Sequence, residues 1–173
     1  MSTADTTTST LDRNRAVATE YFTAIHERDM DRMLACWSRG GIEAVPGARN
    51  LEAPAGVHDF FTQFFNAFQD WKLEILDVTC EGDVAIVHWR LTAGFTGPGT
   101  FDGFVATGAR GTIQGLDRFE IQAGKIVRND AYFDTTEMAR EIGLMPPAGS
   151  GPDKGMTAMV NLQTRTKRLL KRS

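Results

Sequence analysis

Cysteine is nearly missing from this chain: Cys36 and Cys80 are the two in 173 residues. A disulfide framework is therefore excluded, and their spacing matches no zinc motif. Histidine is scarce too. His26, His58 and His88 stand apart, with no acidic cluster at ligand spacing beside them, so no metal is assigned. No apolar run approaches the roughly 18 residues that a membrane span needs, which argues against integral membrane contact. The opening MSTADTTTST has neither the basic nor the apolar stretch of a secretory signal. A reducing, cytoplasmic setting is the expectation. A phosphate-cradling loop is lacking as well: Gly94, Gly97, Gly99, Gly103 and Gly108 mark turns, with no Lys-Ser/Thr after them. Excess positive charge is absent from most of the chain. Residues 148–173 hold six Lys/Arg against one acid, so this tail is +5 and the remainder −8. So acidic a body excludes nucleic acid as its partner.

What is present is ordinary for one globular domain, with 42% hydrophobic and 24% charged residues. Residues 1–10 read as a disordered Ser/Thr-rich leader. From Leu11 the spacing of Val17, Tyr21, Phe22 and Ile25 predicts a helix. A short second helix follows a cap at Asp29 or Asp31 and carries Met33, Leu34 and Trp37 on one face, with Gly40-Gly41 ending it. Ile42–Val45 reads as a short strand. Residues 57–70 form a third helix, whose Val57, Phe60, Phe61, Phe64, Phe65 and Phe68 make a wide apolar stripe.

After Trp71 the period changes to two. Lys72–Glu81, Val84–Phe95, Gly111–Gln122 and Lys125–Phe133 read as strands separated by hairpin turns. Helices first, strands next and a closing helix capped by Asp134 make an α+β layout around an antiparallel sheet. The domain spans 11–147, and 148–173 is a basic extension. Within the third of these strands, Asp117 shares its face with Ile113, Phe119 and Ile121, alone as an acid. A carboxyl on an apolar face needs a partner, a proton or a purpose.

In order and spacing, EGDVAIVHWRLTAGFTG (81–97), GTFDGFVATGARGTIQGLDRFEIQAGKI (99–126) and YFDTTEMAREIGLMP (132–146) resemble the SnoaL-like polyketide cyclase family, within the nuclear-transport-factor-2-like superfold. The resemblance implies a curved antiparallel sheet wrapped around N-terminal helices, a cone with an internal apolar cavity, and a homodimer. It implies a cofactor-independent lyase or isomerase acting on a small apolar oxygenated molecule. Asp117 would then be the catalytic proton carrier. Asp130 is a second candidate if a β-bulge turns it inward. Tyr21 and Asn129 would orient substrate oxygens, and Trp37, Phe61, Phe65, Trp89 and Phe119 would line the pocket. Three departures count against cyclase chemistry. Ala131 stands where related cyclases and epoxide hydrolases carry an acid, Phe95 where a histidine is frequent, and Trp89 and Leu91 where epoxide hydrolases use Arg and Asp. The alternative is a non-catalytic protein that binds a small hydrophobic molecule.

Overall fold

A computed structural model describes residues 3–170; the outermost ends of the leader and tail, 1–2 and 171–173, lie outside it. Helix α1 (Thr3–Glu27) is followed by α2 (Met30–Ala35), β1 (Trp37–Val45), β2 (Arg49–Glu52) and α3 (Ala55–Ala67). Then come β3 (Gln69–Glu81), β4 (Val84–Gly94), β5 (Thr100–Phe101), β6 (Phe104–Val105), β7 (Arg110–Gln122) and β8 (Lys125–Phe133). Helices α4 (Thr135–Glu141) and α5 (Gly151–Leu170) complete the chain. Helix α1 starts well ahead of Leu11, inside the segment that composition marks as a leader, because a helix nucleated on its packed turns extends cheaply.

Six strands form one curved sheet in the order β2-β1-β8-β7-β4-β3, and β5 and β6 form a separate small hairpin. The mixed α+β architecture of a curved sheet and N-terminal helices agrees with the sequence. The sheet is not wholly antiparallel, however: β1 runs parallel to β8. Short turns join β3 to β4 and β7 to β8, whereas β1 reaches its partner only after the whole intervening chain, so no turn signal records that pairing.

Trp37 is the second correction. It opens β1 instead of closing α2, since Cys36 already caps the helix and its carbonyl accepts from the Ile126 backbone N–H at 2.9 Å. The strand then bends at Gly40, whose φ is +77°. At Gly41 a Cβ would stand 2.9 Å from the Trp37 ring, so the two glycines let the indole fold back over its own strand.

The inner face of the sheet packs on α1 and α3. Ala18, Tyr21, Phe22 and Ile25 are buried from α1, and Val57 and Phe61 from α3. Burying such a side chain stabilises the fold by roughly 1.5–3 kcal/mol. Asp29 caps α2 by accepting from the Arg32 N–H at 3.0 Å. Asp134 caps α4 through the Thr136 and Glu137 N–H groups. Helix α5 leaves Met159, Val160 and Leu162 exposed and is tied at its start by the Arg140–Asp153 ion pair at 2.9 Å. No helix among the described residues is long and apolar enough to cross a membrane.

Candidate active site

A cavity of about 370 Å³ opens between α1, α3 and the concave side of the sheet. Its walls are mostly apolar: Phe22 and Ile25 from α1, Phe60, Phe61 and Phe64 from α3, and Leu91 and Ile113 from the sheet. The sequence explains each contribution. Three- and four-residue spacing brings the phenylalanines onto one helix face, and the two-residue alternation brings Ile113 and Asp117 onto one strand face.

Two acids lie at the buried part of this wall, Glu43 on β1 and Asp117 on β7. The amide of Asn129, on β8 between them, donates to both, at 3.0 Å to Glu43 Oε1 and 2.6 Å to Asp117 Oδ2. The Trp89 indole N–H donates to Asp117 Oδ1 at 2.8 Å, and the Tyr21 hydroxyl to Glu43 Oε2 at 3.0 Å. All four carboxyl oxygens therefore accept from neutral donors. Trp89 reaches Asp117 because its cross-strand neighbour is Gly115, where a Cβ would stand 2.3 Å from the indole.

Burial dominates the electrostatics. It pushes the Asp117 carboxyl up to about 6, against the opposing pull of the Asn129 and Trp89 hydrogen bonds. Glu43 goes further, to about 8, because burial is reinforced by the neighbouring Asp117 charge. The Tyr21 phenol is raised well above its ordinary value, first by burial and then by both acids. Both acids are thus driven toward the protonated form, and the titration belongs to the pair together.

The sequence matches the model of the SnoaL-like domain over residues 18–129. The chain belongs to the SnoaL-like family. No curated protein matches it. Among solved structures it is similar to AclR of Streptomyces galilaeus, described as a candidate hydroxylase, at 19% identity and TM-score 0.68, covering 91% of this chain and 96% of that one. A candidate SnoaL-like polyketide cyclase of Jannaschia sp. CCS1 aligns at 20% identity and TM-score 0.69, covering 78% of this chain and 94% of the other. An LEH-like epoxide hydrolase of M. tuberculosis aligns at 12% identity and TM-score 0.62, over 76% and 90%. Likeness at these identities concerns the fold.

Within this SnoaL-like cone, Asp117, Tyr21, Phe61 and Trp89 line the cavity. Asn129 is fully buried behind its wall, its amide committed to the two acids. Trp37 and Phe119 are not on the wall. Both pack edge-on against the Tyr21 ring, at 5.8 and 5.7 Å between centroids, and so set its position from behind. Phe65 turns toward Trp71 and Arg28. Asp130 faces away. The β7–β8 register runs without a break from Gly115↔Phe133 to Glu120↔Arg128, so no bulge re-aims it. It pairs instead with Arg128 at 2.5 Å. Ala131 and Leu91 line the cavity, whereas Phe95 stacks on Phe68 with centroids 5.0 Å apart.

Glu43 is the residue that the sequence analysis missed. Its signal was the one that found Asp117, a single acid inside an apolar strand, but the run Ile42–Val45 is too short for alternation to point its side chain inward.

Proposed function

We propose that this SnoaL-like protein is a cofactor-independent acid/base catalyst, a lyase or isomerase of polyketide-cyclase type. Its substrate would be a small apolar molecule with an acidic C–H beside a carbonyl. One observation carries this reading: two buried acids lie together at one end of an apolar cavity, bound by neutral donors.

Asp117 takes the proton from the carbon next to the carbonyl. The C–H bond breaks, an O–H bond forms on Asp117, and the electron pair moves to the substrate oxygen. With Asp117 ionised and the pair's proton on Glu43, the Glu43 O–H turns to the Tyr21 oxygen, reversing the bond of the free site, and the Tyr21 hydroxyl proton is released to bond the developing oxyanion. Donors fixed in advance in a dry site stabilise such charge better than water does. Returning the proton to a different carbon isomerises the substrate, and attack of the enolate carbon on a second carbonyl closes a ring. Asn129 acts by holding the acids apart and in register.

The outer face of the sheet exposes Leu76, Ile86, Leu116 and Tyr132, a surface suited to a second copy in a homodimer. A second reading, storage or transport of a hydrophobic molecule without chemistry, draws on Leu91 and Ala131, apolar side chains on the wall where related enzymes are polar. Deuterium uptake separates the two. In D₂O, proton NMR should record exchange of the α-protons of 2-tetralone faster with the protein than without it, and Asp117→Asn should remove the difference. Binding with no exchange favours the second reading. Exchange that survives Asp117→Asn overturns the assignment of the base.

A further inference from the structure

The open end of the cavity has a feature that proton transfer does not use. Arg49, on β2, is the one cation among the described residues that line the cavity, which also carries Glu43, Asp102, Asp117 and Glu141. Its guanidinium carbon lies 5.2 Å from the centre of the Phe60 ring and 5.9 Å from that of Phe101. Two aromatic faces therefore hold it in place, independently of any counterion.

Its counterion is Asp102. That residue and Gly103 form the two-residue turn between β5 and β6, with φ of +50° and +81°, the conformation that a tight hairpin requires. The hairpin pairs only two residues from each strand. So short a ribbon is marginal by itself and yields readily. The Arg49 and Asp102 side chains are 31% and 42% exposed. An ion pair this wet adds little stability, so a better-placed carboxylate can displace Asp102 at small cost. Glu141, the other acid at this end, is already engaged by the Thr112 N–H at 3.0 Å.

We propose that Arg49 is the anchor for a carboxylate on the ligand, and that Asp102 fills this place while the cavity is free. A planar guanidinium fixed at its position suits a two-pronged bond to a carboxylate. The ligand class becomes an aryl or polyene acid. Its apolar body fills the phenylalanine-lined space, its carbonyl end meets Glu43 and Asp117, and its carboxylate stays at Arg49. The buried acids enforce this polarity, because they repel an anion from their end. This inference rests on the cavity being the ligand site, as proposed above, and not on Asp117 acting as a base.

Calorimetric titration tests it, with aryl carboxylic acids of one to three fused rings and the neutral amide of each. At low salt and pH 7.5, the best acid is expected to bind the wild-type chain about tenfold more tightly than its amide. Arg49→Met should bring the two to equal affinity, and Arg49→Lys should leave a smaller preference, since the charge remains but the fork is lost. Asp102→Asn should tighten the acid several-fold and leave the amide unchanged. The proposal is overturned if no acid is preferred, including the case in which none binds. It is equally overturned if the preference survives Arg49→Met, or if Asp102→Asn alters acid and amide alike, as a simple latch would. Acid binding without α-proton exchange would sink the catalytic reading and leave this one standing.

Discussion

Asp117 and Asp130 lie in adjacent rungs of the β7–β8 ladder and are buried almost equally, 6% and 7% exposed. They face opposite sides of the sheet. Asp130 accepts from Arg128 Nε at 3.0 Å and Nη2 at 2.5 Å, with Arg118 at 3.9 Å, so two cations match its charge. Asp117 meets an indole N–H and an amide, and its charge raises the pKa of another acid, Glu43. Equal depth of burial thus goes with opposite surroundings. At Asp117 no cation among the described residues offsets the cost of desolvating the charge, and burial pushes its pKa up.

The strongest way to break this contrast is Asp117→Asn. A positioned general base contributes typically about 10²–10⁴-fold to rate, so α-proton exchange should fall by that factor. The fold should survive, since the asparagine can still accept from Trp89, although the Asn129 amide must turn to meet it. Circular dichroism would check the fold and NMR the exchange. An unchanged rate would place Asp117 with Asp130, as a structural acid.

Glu43→Gln comes next, and its readout is stability against pH. Between the ordinary carboxyl value of 4.5 and about 8, the folded chain keeps a proton on Glu43 that the unfolded chain has released. The folded state binds more protons, so stability is fully present at low pH and falls as pH rises through that window. Asp117 adds the same sign between 3.8 and about 6. At about 1.4 kcal/mol per unit across that window, the Glu43 share is on the order of 5 kcal/mol lost by pH 9. Glutamine can accept from Asn129 and donate to the Tyr21 oxygen, so urea midpoints of Glu43→Gln should decline less steeply with pH than those of the wild type. Parallel slopes would mean that Glu43 is not the proton carrier. For the exchange reaction, the wild type should have a bell-shaped pH profile with limbs near 6 and 8, which belong to the pair together.

Much of this was legible in the sequence, for definite reasons. The long strands β3, β4, β7 and β8 were readable because alternation persists along each and turn residues such as Gly82 and Gly124, both at positive φ, punctuate them. Asp117 was readable because one acid broke a long apolar rhythm. Glu43 sits in a strand whose first half bends at Gly40-Gly41, which destroys the phase needed to assign its side. Trp37 and Phe119 show a different limit. Alternation says that a side chain points inward, but not whether an empty space or the Tyr21 ring waits there.

Gly115→Ala sharpens the comparison from the sheet itself. The added Cβ would meet the Trp89 ring at 2.3 Å and the Tyr132 carbonyl at 2.7 Å, so the indole must move and the backbone must give. Overpacking of this kind costs about 1–3 kcal/mol, readable in the urea midpoint by tryptophan fluorescence. Asp117 would lose its Trp89 donor, a bond that lowers its pKa, and the acid limb of the exchange profile should move to higher pH. A limb that stays in place would show that Trp89 contributes packing and nothing to the acid.

Asp130→Asn is the smallest change and tests the other side of the contrast. Arg128 is 43% exposed, so water screens the pair that is lost and replaces part of what the carboxylate supplied. The Asp130 carboxylate itself is buried, which keeps the cost from vanishing, and about 1 kcal/mol is expected from urea unfolding. Salt should narrow the gap between wild type and variant, since ions screen the partly exposed arginines. The α-proton exchange rate and its pH profile should not move, because Asp130 faces away from the cavity. Were Asp130→Asn to lower exchange as far as Asp117→Asn, the two faces of the ladder would be one functional unit and the opposition between them would fail.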